Sequence, residues 1–515
     1  RTMAVRTIIP GPPGTGKTYR LVNHYLSNEI NGLQTSAQRI IYITFSKAAA
    51  KEARERIETL FPNQDFLYIS TMHSLGTREC GINTSERLLN GKKKWNLFKN
   101  YPNHEAYRNM SFEVTTDAAG NKRYQNPNMQ IIQYARAKKI ELEEAALQLG
   151  KHDEVDIDFT HQLEQDLKSF KEDTGMVEFS DMIKLFVEKK KCPSLDVVFL
   201  DEAQDLSPSQ WDMFFYIEKQ CERSYIAGDD DQTIYTFQGA DPNIFINLEG
   251  VRDDQKQSRR VPRKIHSKAL EIFPQLSNRL DKEWFARDAE GEVYEHCILD
   301  GLDFTKENWM ILARTNKLLE EIGEHFFALG IRFSGKTNTF LPNKLLDAYR
   351  IWDRLNKGAY VSGDEAIQVY EFLRKHQIKH GYGSGKTLSN VNSIDLDGLK
   401  ESHGLLVSGS WEQLHMPEDT KNYIKDLLEK GDDLMSDSRI ELCTIHGSKG
   451  REQNNIVLFT DFGTDSQGEF IYREAYRNPD PEHRLFFVGI TRAKNKLFIM
   501  APKTDYYYTI GDPII

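Results

Sequence analysis

An eight-residue stretch near the start of the chain, Gly-Pro-Pro-Gly-Thr-Gly-Lys-Thr, constrains the fold more than any other feature. These residues, Gly11–Thr18, match the pattern G-x-x-x-x-G-K-[ST] at every fixed position. They follow the apolar run Val5–Pro10 and precede a helix predicted over Tyr19–Leu26. A loop between a strand and a helix can turn its backbone N–H groups toward phosphate oxygens. The sequence therefore predicts a nucleoside triphosphate site, and a surface turn that matches by chance is the weaker interpretation.

Two side chains of this loop have chemical roles in the motif. Lys17 is expected to reach the β- and γ-phosphates, and the Thr18 hydroxyl is expected to be a ligand of Mg²⁺. We expect every residue of the loop to contribute to the nucleotide site, namely Gly11, Pro12, Pro13, Gly14, Thr15, Gly16, Lys17 and Thr18.

The composition narrows the class of protein. A chain of 515 residues is too long for one core, and its 39% hydrophobic and 28% charged residues are typical of a globular protein with several domains. No apolar run approaches the ~18–20 residues of a membrane span, and no leader segment is recognisable, so we expect a cytoplasmic protein without membrane contact. The five scattered cysteines lack a C-x-x-C pair, which argues against a disulfide framework or a zinc site. The net charge of −10 argues only weakly against nucleic acid, because a groove can bind a strand locally.

The order of the predicted elements indicates an α/β protein. A buried strand is predicted over residues 39–45, a helix over 46–60 and a further strand over 67–70. Strands that alternate with helices in this way favour a parallel sheet with the nucleotide at its edge. Residues from about 76 to 175 are polar and mostly helical, and we interpret them as an insertion.

A second motif follows the insertion. The apolar strand Asp196–Leu200 leads directly into Asp201, 184 positions after Lys17, and then into Glu202. Adjacent carboxylates at the end of a buried strand are typical of a Walker B motif. Asp201 is then placed to hold Mg²⁺, and Glu202 to orient and deprotonate the attacking water.

The second half of the chain repeats the pattern. It contains a predicted strand at residues 309–314, a loop-rich helical stretch at about 358–436, and strands again from residue 440. Within the helical stretch, Gly381–Thr387 imitates a phosphate loop. It is one residue too short and follows no strand, so we interpret it as an ordinary loop.

The complete set of motifs resembles the UvrD/PcrA/Rep helicases of superfamily 1A. In chain order the set comprises GPPGTGKT, TFSKAAAKEARERI, TMHS, LDEAQD, GDDDQTIYTFQGA, ARTN, TIHGSKGRE and VGITRAKNKL. These motifs extend from residue 11 to about residue 497, and the fifth and last together are highly specific. The resemblance implies two RecA-like parallel-sheet motor domains, each with a mainly helical insertion, and ATP in the cleft between them.

The resemblance also implies roles for four residues outside the phosphate loop and the Walker B motif. Gln232 would contact the γ-phosphate, and Glu452 would accept a hydrogen bond from the ribose. Arg260 and Arg492 would be arginine fingers that complete the site when the domains close. Without the surrounding motifs, a surface ion pair would be the better interpretation of each arginine.

A track for single-stranded DNA is implied in the same way. The matching positions are Thr44, Phe45, His73, Tyr235, Phe237 and His446. Aromatic rings stack on bases without sequence preference, as a translocating motor requires. The alternative is that Phe45 and Tyr235 are core aromatics beside the sheet.

Three departures from the family pattern carry predictions. Only ten residues precede Gly11, whereas the family has an adenine-reading glutamine segment there, which leaves adenine selectivity open. Tyr19 and Arg259 exchange the residue types that sandwich adenine in the family, and we hypothesise that the sandwich persists with its partners swapped. Phe237 and Gln238 replace a tryptophan and an arginine, which predicts weaker strand binding.

These observations define the expected domains and function. The first motor domain is expected over 1–75 and 176–258, its insertion over 76–175, the second motor domain over 259–357 and 437–515, and its insertion over 358–436. We expect a monomeric, ATP- and Mg²⁺-dependent DNA helicase that moves 3′ to 5′ and acts on single strands and their junctions with duplex, with replication or repair proteins as possible accessory partners. The alternatives are a translocase that strips proteins from single strands and a nucleotide-gated switch ATPase.

Overall fold

Two parallel β-sheets organise the computed structural model, which describes residues 4–116, 122–382, 386–464 and 466–514. The first sheet has six strands, all paired in parallel. In spatial order they are Tyr68–Thr71, Ile40–Thr44, Val197–Leu200, Arg223–Gly228, Val5–Pro10 and Val251–Arg252. The second sheet has five parallel strands, in the order Glu292–Cys297, Ala493–Met500, Gln453–Leu458, Trp309–Ala313 and Ile440–Thr444. The predicted α/β class with parallel-sheet domains is confirmed.

Both faces of the first sheet are buried. Along the strand Val197–Leu200, Val198 and Leu200 pack into one apolar cluster, while Val197 and Phe199 pack into another. Alternation of side chains along a strand places these pairs on opposite faces. A strand buried on both faces needs a continuous apolar run, which is why its sequence shows no polar alternation.

Helices cover these faces. Those of the first sheet are Lys17–Tyr19, Lys47–Leu60, Met72–Glu79, Phe179–Glu188, Pro208–Glu218 and Pro242–Ile246. The Ser46 hydroxyl caps the second of them by accepting from the Ala49 N–H at 3.1 Å. The helix predicted from Tyr19 begins two residues earlier, at Lys17, and continues with π-type hydrogen bonding over Arg20–Leu26 and Asn28–Gly32.

Residues between the helices Met72–Glu79 and Phe179–Glu188 form a helical unit with its own core. Its helices are Thr84–Arg87, Gly91–Lys99, Pro127–Lys138, Leu142–Gln148 and Ile157–Thr174, with a hairpin of Val114–Thr116 and Lys122–Tyr124. Trp95, Phe98 and Leu163 are buried together in its core. A separate core supports the predicted insertion, whose bounds stay a prediction.

The second half has a sheet domain and a second helical unit. Its helices are Arg263–Leu270, Asn316–Ala328, Asn343–Asn356, Gly363–Tyr370, Leu396–Ser402, Glu418–Glu429, Ser466–Arg477 and Asp480–Ile490. Trp352 and Leu355 share a buried cluster with Leu399 and Ile424. The helix Asn343–Asn356 therefore packs with the unit that follows it, although we assigned it to the motor domain. The boundary of the motor domain, which we set at residue 357, stays a prediction. Residues 383–385 of the imitation loop lie outside the described residues.

A two-stranded parallel sheet of Gln257–Pro262 and Phe285–Arg287 connects the halves. Among the described residues, none of the helices combines the length and apolar character that crossing a bilayer demands.

Candidate nucleotide and nucleic-acid sites

The phosphate loop is shaped by two glycines in the left-handed region. Gly14 and Gly16 have φ angles of 77° and 85°, which side chains rarely adopt. A Cβ atom on Gly14 would lie 2.6 Å from the Cβ of Arg260. The loop backbone therefore lies directly against the connecting strand, where Ser258 Oγ donates to the Pro13 carbonyl at 3.0 Å and Arg259 N to the Gly14 carbonyl at 2.8 Å.

Lys17 lies inside this loop. Its ammonium donates to the Gly11 carbonyl at 2.6 Å, and burial lowers its pKa in spite of the neighbouring carboxylates. Gly16, Thr18 and Gly14 line the adjoining cavity. The other loop residues, Gly11, Pro12, Pro13 and Thr15, are buried. The loop thus offers backbone and a cation to a phosphate chain.

The Walker B carboxylates lie beside the loop. The Thr18 hydroxyl donates to Asp201 Oδ2 at 2.7 Å, and the Tyr42 hydroxyl donates to the same oxygen at 3.2 Å. Burial, followed by the charge of Glu202, raises the pKa of Asp201. Burial also acts to raise the pKa of Glu202, but the charges of Lys449 and Lys17 outweigh it and hold that pKa below its usual value.

Two arginines from the second half face these carboxylates. Arg260 Nε pairs with Glu452 Oε2 at 2.5 Å. Arg492 is 1% exposed, and its Nη2 donates to Gln232 Oε1 at 2.9 Å. Burial, with the nearby charge of Arg260, lowers the pKa of Arg492 to about 9. Arg492 thus borders the cavity as a buried cation.

Residues of both halves line a single cavity of about 560 Å³. It brings together most of the predicted nucleotide residues, namely Gly14, Gly16, Lys17, Thr18, Tyr19, Asp201, Glu202, Gln232, Arg259, Arg260, Glu452 and Arg492. At its mouth the guanidinium of Arg259 lies 5.3 Å from the ring centroid of Tyr19, which is 52% exposed. The two planar groups are in contact, so a base between them would have to separate them.

Lys449 belongs to this cavity, and our sequence interpretation missed it. Its ammonium contacts the Asp205 carboxylate, donates to the Gln232 carbonyl at 2.7 Å and lies 3.6 Å from Glu202 Oε2. Burial raises the pKa of Asp205 to about 7. The signal was available, since Lys449 is the one cation between His446 and Gly450 in the motif TIHGSKGRE.

Four predicted strand-contacting residues form a connected aromatic cluster. The rings of Phe45 and Tyr235 stack with centroids 4.8 Å apart. Phe237 lies 6.1 Å from Tyr235 and 5.7 Å from His446. Phe45 and Tyr235 also contact the buried clusters beside the sheets, as the core interpretation requires. The two rings are half-buried, so they serve packing and still border the cavities.

The remaining predicted contacts, Thr44 and His73, take no part in these ring contacts but line the same two cavities. Thr44 is buried and its hydroxyl donates to the Ser46 carbonyl at 3.0 Å. His73 lies edge-on to Phe179 at 6.3 Å, and burial lowers its pKa. His73 lines a second cavity of about 560 Å³ together with Phe237.

Phe45 and Asp205 line both cavities. Since Asp205 contacts Lys449, one small set of side chains forms the wall between the nucleotide cavity and the second cavity. A change of contacts on one side can therefore alter the other side directly.

Comparison with known proteins identifies two family models that match this chain. The family model of the UvrD/REP helicase N-terminal domain matches residues 2–251, and that of the UvrD-like helicase C-terminal domain matches residues 410–504. The chain belongs to the UvrD-like helicase family.

Its relatives are distant. It is 22% identical to the ATP-dependent DNA helicase PcrA of Leuconostoc citreum, over 96% of this chain and 79% of that protein. It is 21% identical to a probable DNA helicase II homolog of Mycoplasma capricolum, over 96% of this chain and 82% of that protein. Against the ATP-dependent DNA helicase Rep of Escherichia coli, 25% identity extends over 46% of this chain and only 35% of Rep.

Proposed function

We propose that this chain is an ATP-dependent DNA helicase that moves 3′ to 5′ along single-stranded DNA and separates duplex at junctions. One observation carries the proposal. Lys17 and Glu202 from the first half meet Arg260 and Arg492 from the second half around one cavity. A site completed by both halves ties hydrolysis to their relative movement. The direction of movement is supported by the motif resemblance alone.

The residues present fit ATP and Mg²⁺. Thr18 and Asp201 offer two oxygen atoms 2.7 Å apart, and Mg²⁺ prefers such hard oxygen ligands. Mg²⁺, when bound, neutralises negative charge on the phosphates. Lys17 would hold the β- and γ-phosphates, and Tyr19 with Arg259 would hold the base.

The remaining charged residues would act on the reacting groups. Glu202, whose pKa lies below the usual value, is ionised at neutral pH and can accept a proton from the attacking water. Arg260 and Arg492 would stabilise the charge that develops on the transferred phosphoryl oxygens. Glu452 pairs with Arg260 through Oε2, and its carboxylate would also accept a hydrogen bond from the ribose.

The side chains shared by the two cavities would couple ATP hydrolysis to movement of the DNA strand. Closure around the nucleotide would move Lys449, which donates to the Gln232 carbonyl and lies 5.4 Å from the ring centroid of Tyr235, the stacking partner of Phe45. A strand stacked on this cluster would therefore be gripped and released once in each cycle of hydrolysis.

The first test is steady-state ATP hydrolysis with and without a single-stranded oligonucleotide, for the parent chain and Glu202→Gln. The exposed Glu412→Gln serves as a matched control. We expect strong stimulation by DNA that Glu202→Gln abolishes and Glu412→Gln preserves. A basal rate indifferent to both DNA and RNA would instead support the switch ATPase.

Duplexes with a single tail then separate the remaining alternatives. Unwinding of 3′-tailed but not 5′-tailed duplex would support the helicase with the proposed direction. Release of a protein bound to the single strand, with duplex left intact, would support the stripping translocase.

A further inference from the structure

Three consecutive aspartates are buried together beside the nucleotide cavity. Asp229, Asp230 and Asp231 follow the strand Arg223–Gly228, and each is 0% exposed. Three carboxylates cannot remain ionised at such a place unless cations compensate them. The cations that pair with these carboxylates therefore fix the position of this segment.

The cations come from the second half of the chain. The side chain of Lys282 is 2% exposed. Its Nζ lies 2.8 Å from Asp229 Oδ1 and 2.9 Å from Asp231 Oδ2, and it also contacts the Asp230 carboxylate. Arg279 donates twice to Asp231, at 3.0 and 2.7 Å, and Arg484 donates to the Asp230 carbonyl. Lys282 fills the space among the three carboxylates, so the cluster is an ion-pair centre and not a vacant metal site.

Asp229 transmits this contact to the reacting groups by two routes. Its Oδ2 accepts from Gln232 Nε2 at 2.6 Å, which leaves Gln232 Oε1 to accept from Arg492. Its backbone N–H donates to Gln204 Oε1 at 3.0 Å, and Gln204 Nε2 donates to Glu202 Oε2 at 2.6 Å. One carboxylate residue thus orients both the expected γ-phosphate contact and the expected base.

We propose that Lys282 is a positioning residue for ATP hydrolysis, because it holds Asp229 where Asp229 orients Gln232 and Glu202. The proposal rests on the proposed ATPase function. Lys282 itself contacts aspartates and does not line the nucleotide cavity. Its removal is therefore expected to affect the transition state more than the binding of ATP.

Lys282→Met keeps the length of the side chain and removes its charge, and is compared with Lys256→Met, an exposed lysine that pairs with Glu283. We expect Lys282→Met to lower kcat on the order of 10- to 100-fold and to change KM for ATP less than about twofold. Lys256→Met is expected to match the parent in both constants.

A double variant separates positioning from simple loss of stability. Asp230→Asn together with Lys282→Met removes one charge of each sign from the buried cluster. We expect it to recover the melting temperature of the parent while kcat stays low, because Asp229 still lacks its cation. A double variant with parent stability and kcat within about threefold of the parent would overturn the proposal.

Affinity provides a readout that does not depend on turnover. We expect the parent to bind ADP–aluminium fluoride with Mg²⁺ more tightly than ADP, and the double variant to lose that preference while it retains its affinity for ADP. A double variant with the parent's preference would refute the role of Lys282. A parent that shows the preference but hydrolyses no ATP, with or without DNA, would refute the proposed function alone.

Discussion

Arg492 donates from Nη2 to Gln232 Oε1 at 2.9 Å. This bond joins the start of the strand Ala493–Met500 in the second sheet to the loop that follows the strand Arg223–Gly228 in the first. The same guanidinium donates from Nε to the Val488 carbonyl at 2.9 Å and from Nη1 to the Arg451 carbonyl at 3.2 Å. Nη2 also donates to the Thr491 hydroxyl at 3.2 Å, so four acceptors fix the plane of this group, and only a planar fork can meet all of them.

Arg492→Lys should therefore abolish most hydrolysis although it retains the charge. We expect kcat to fall on the order of 10³-fold, as for loss of an arginine finger, with KM for ATP changed by a few-fold at most. Arg354→Lys, in the second helical unit, is the matched control. Steady-state kinetics that place kcat of Arg492→Lys within threefold of the parent would contradict a transition-state role.

Tyr19→Ala tests the swapped base sandwich. Removing the ring leaves Arg259 without its stacking partner, so KM for ATP should rise several-fold while kcat in saturating ATP stays close to the parent value. The exposed Tyr476→Ala, in the helix Ser466–Arg477, should leave KM unchanged. Equal KM values for the parent and Tyr19→Ala would eliminate the sandwich.

Phe237→Ala tests the aromatic track. A stacked base is worth about 1–3 kcal/mol, so affinity for a single-stranded oligonucleotide should fall between about fivefold and 150-fold. The guanidinium of Arg123 lies 4.2 Å from this ring and lines the same second cavity, so the variant also removes a neighbour of this cation. Fluorescence anisotropy would measure the change, with Phe285→Ala as control. Unchanged affinity would return Phe237 to a packing role.

Glu178→Gln should destabilise the first helical unit in a pH-dependent way. Burial acts to raise the pKa of Glu178, but Arg136 and Lys171, at 2.7 and 2.8 Å, outweigh it and lower that pKa from 4.5 to about 2. A pKa depressed by folding contributes stability above the unfolded value, and this contribution is lost as pH falls from about 4.5 toward 2.

The expected cost of Glu178→Gln at pH 7 is about 3 kcal/mol of unfolding free energy. Denaturant unfolding at pH 7 and at pH 3.5 would measure it, with the exposed Glu172→Gln as reference. A difference between parent and variant that stays constant over this range would contradict the ionic origin of the effect.

Local patterns predicted the elements that carry the candidate site. The phosphate loop and the strand before Asp201 have sequences that allow few other structures, since glycines, a buried apolar run and adjacent carboxylates occur at fixed spacing. The capped helix Lys47–Leu60 was likewise predicted, because Ser46 and the apolar spacing act over one or two turns.

Long-range contacts were beyond the sequence. Lys282 lies 53 positions after Asp229, and nothing in its neighbours marks it as the partner of three aspartates. The helix Asn343–Asn356 has the amphipathic spacing that either neighbouring core could accept, so its sequence did not decide where it packs. Tertiary packing determines both the ion pairs of Lys282 and the position of this helix.

The close approach of Gly14 to Arg260 has a mechanical consequence. The connecting strand is fastened to the phosphate loop by Ser258 and Arg259, so the joint between the two halves lies beside the cavity that we propose binds the nucleotide. A rotation about such a fulcrum displaces distant parts more than near ones. Small movements around the phosphates would thus produce larger displacements at the outer edges of the molecule.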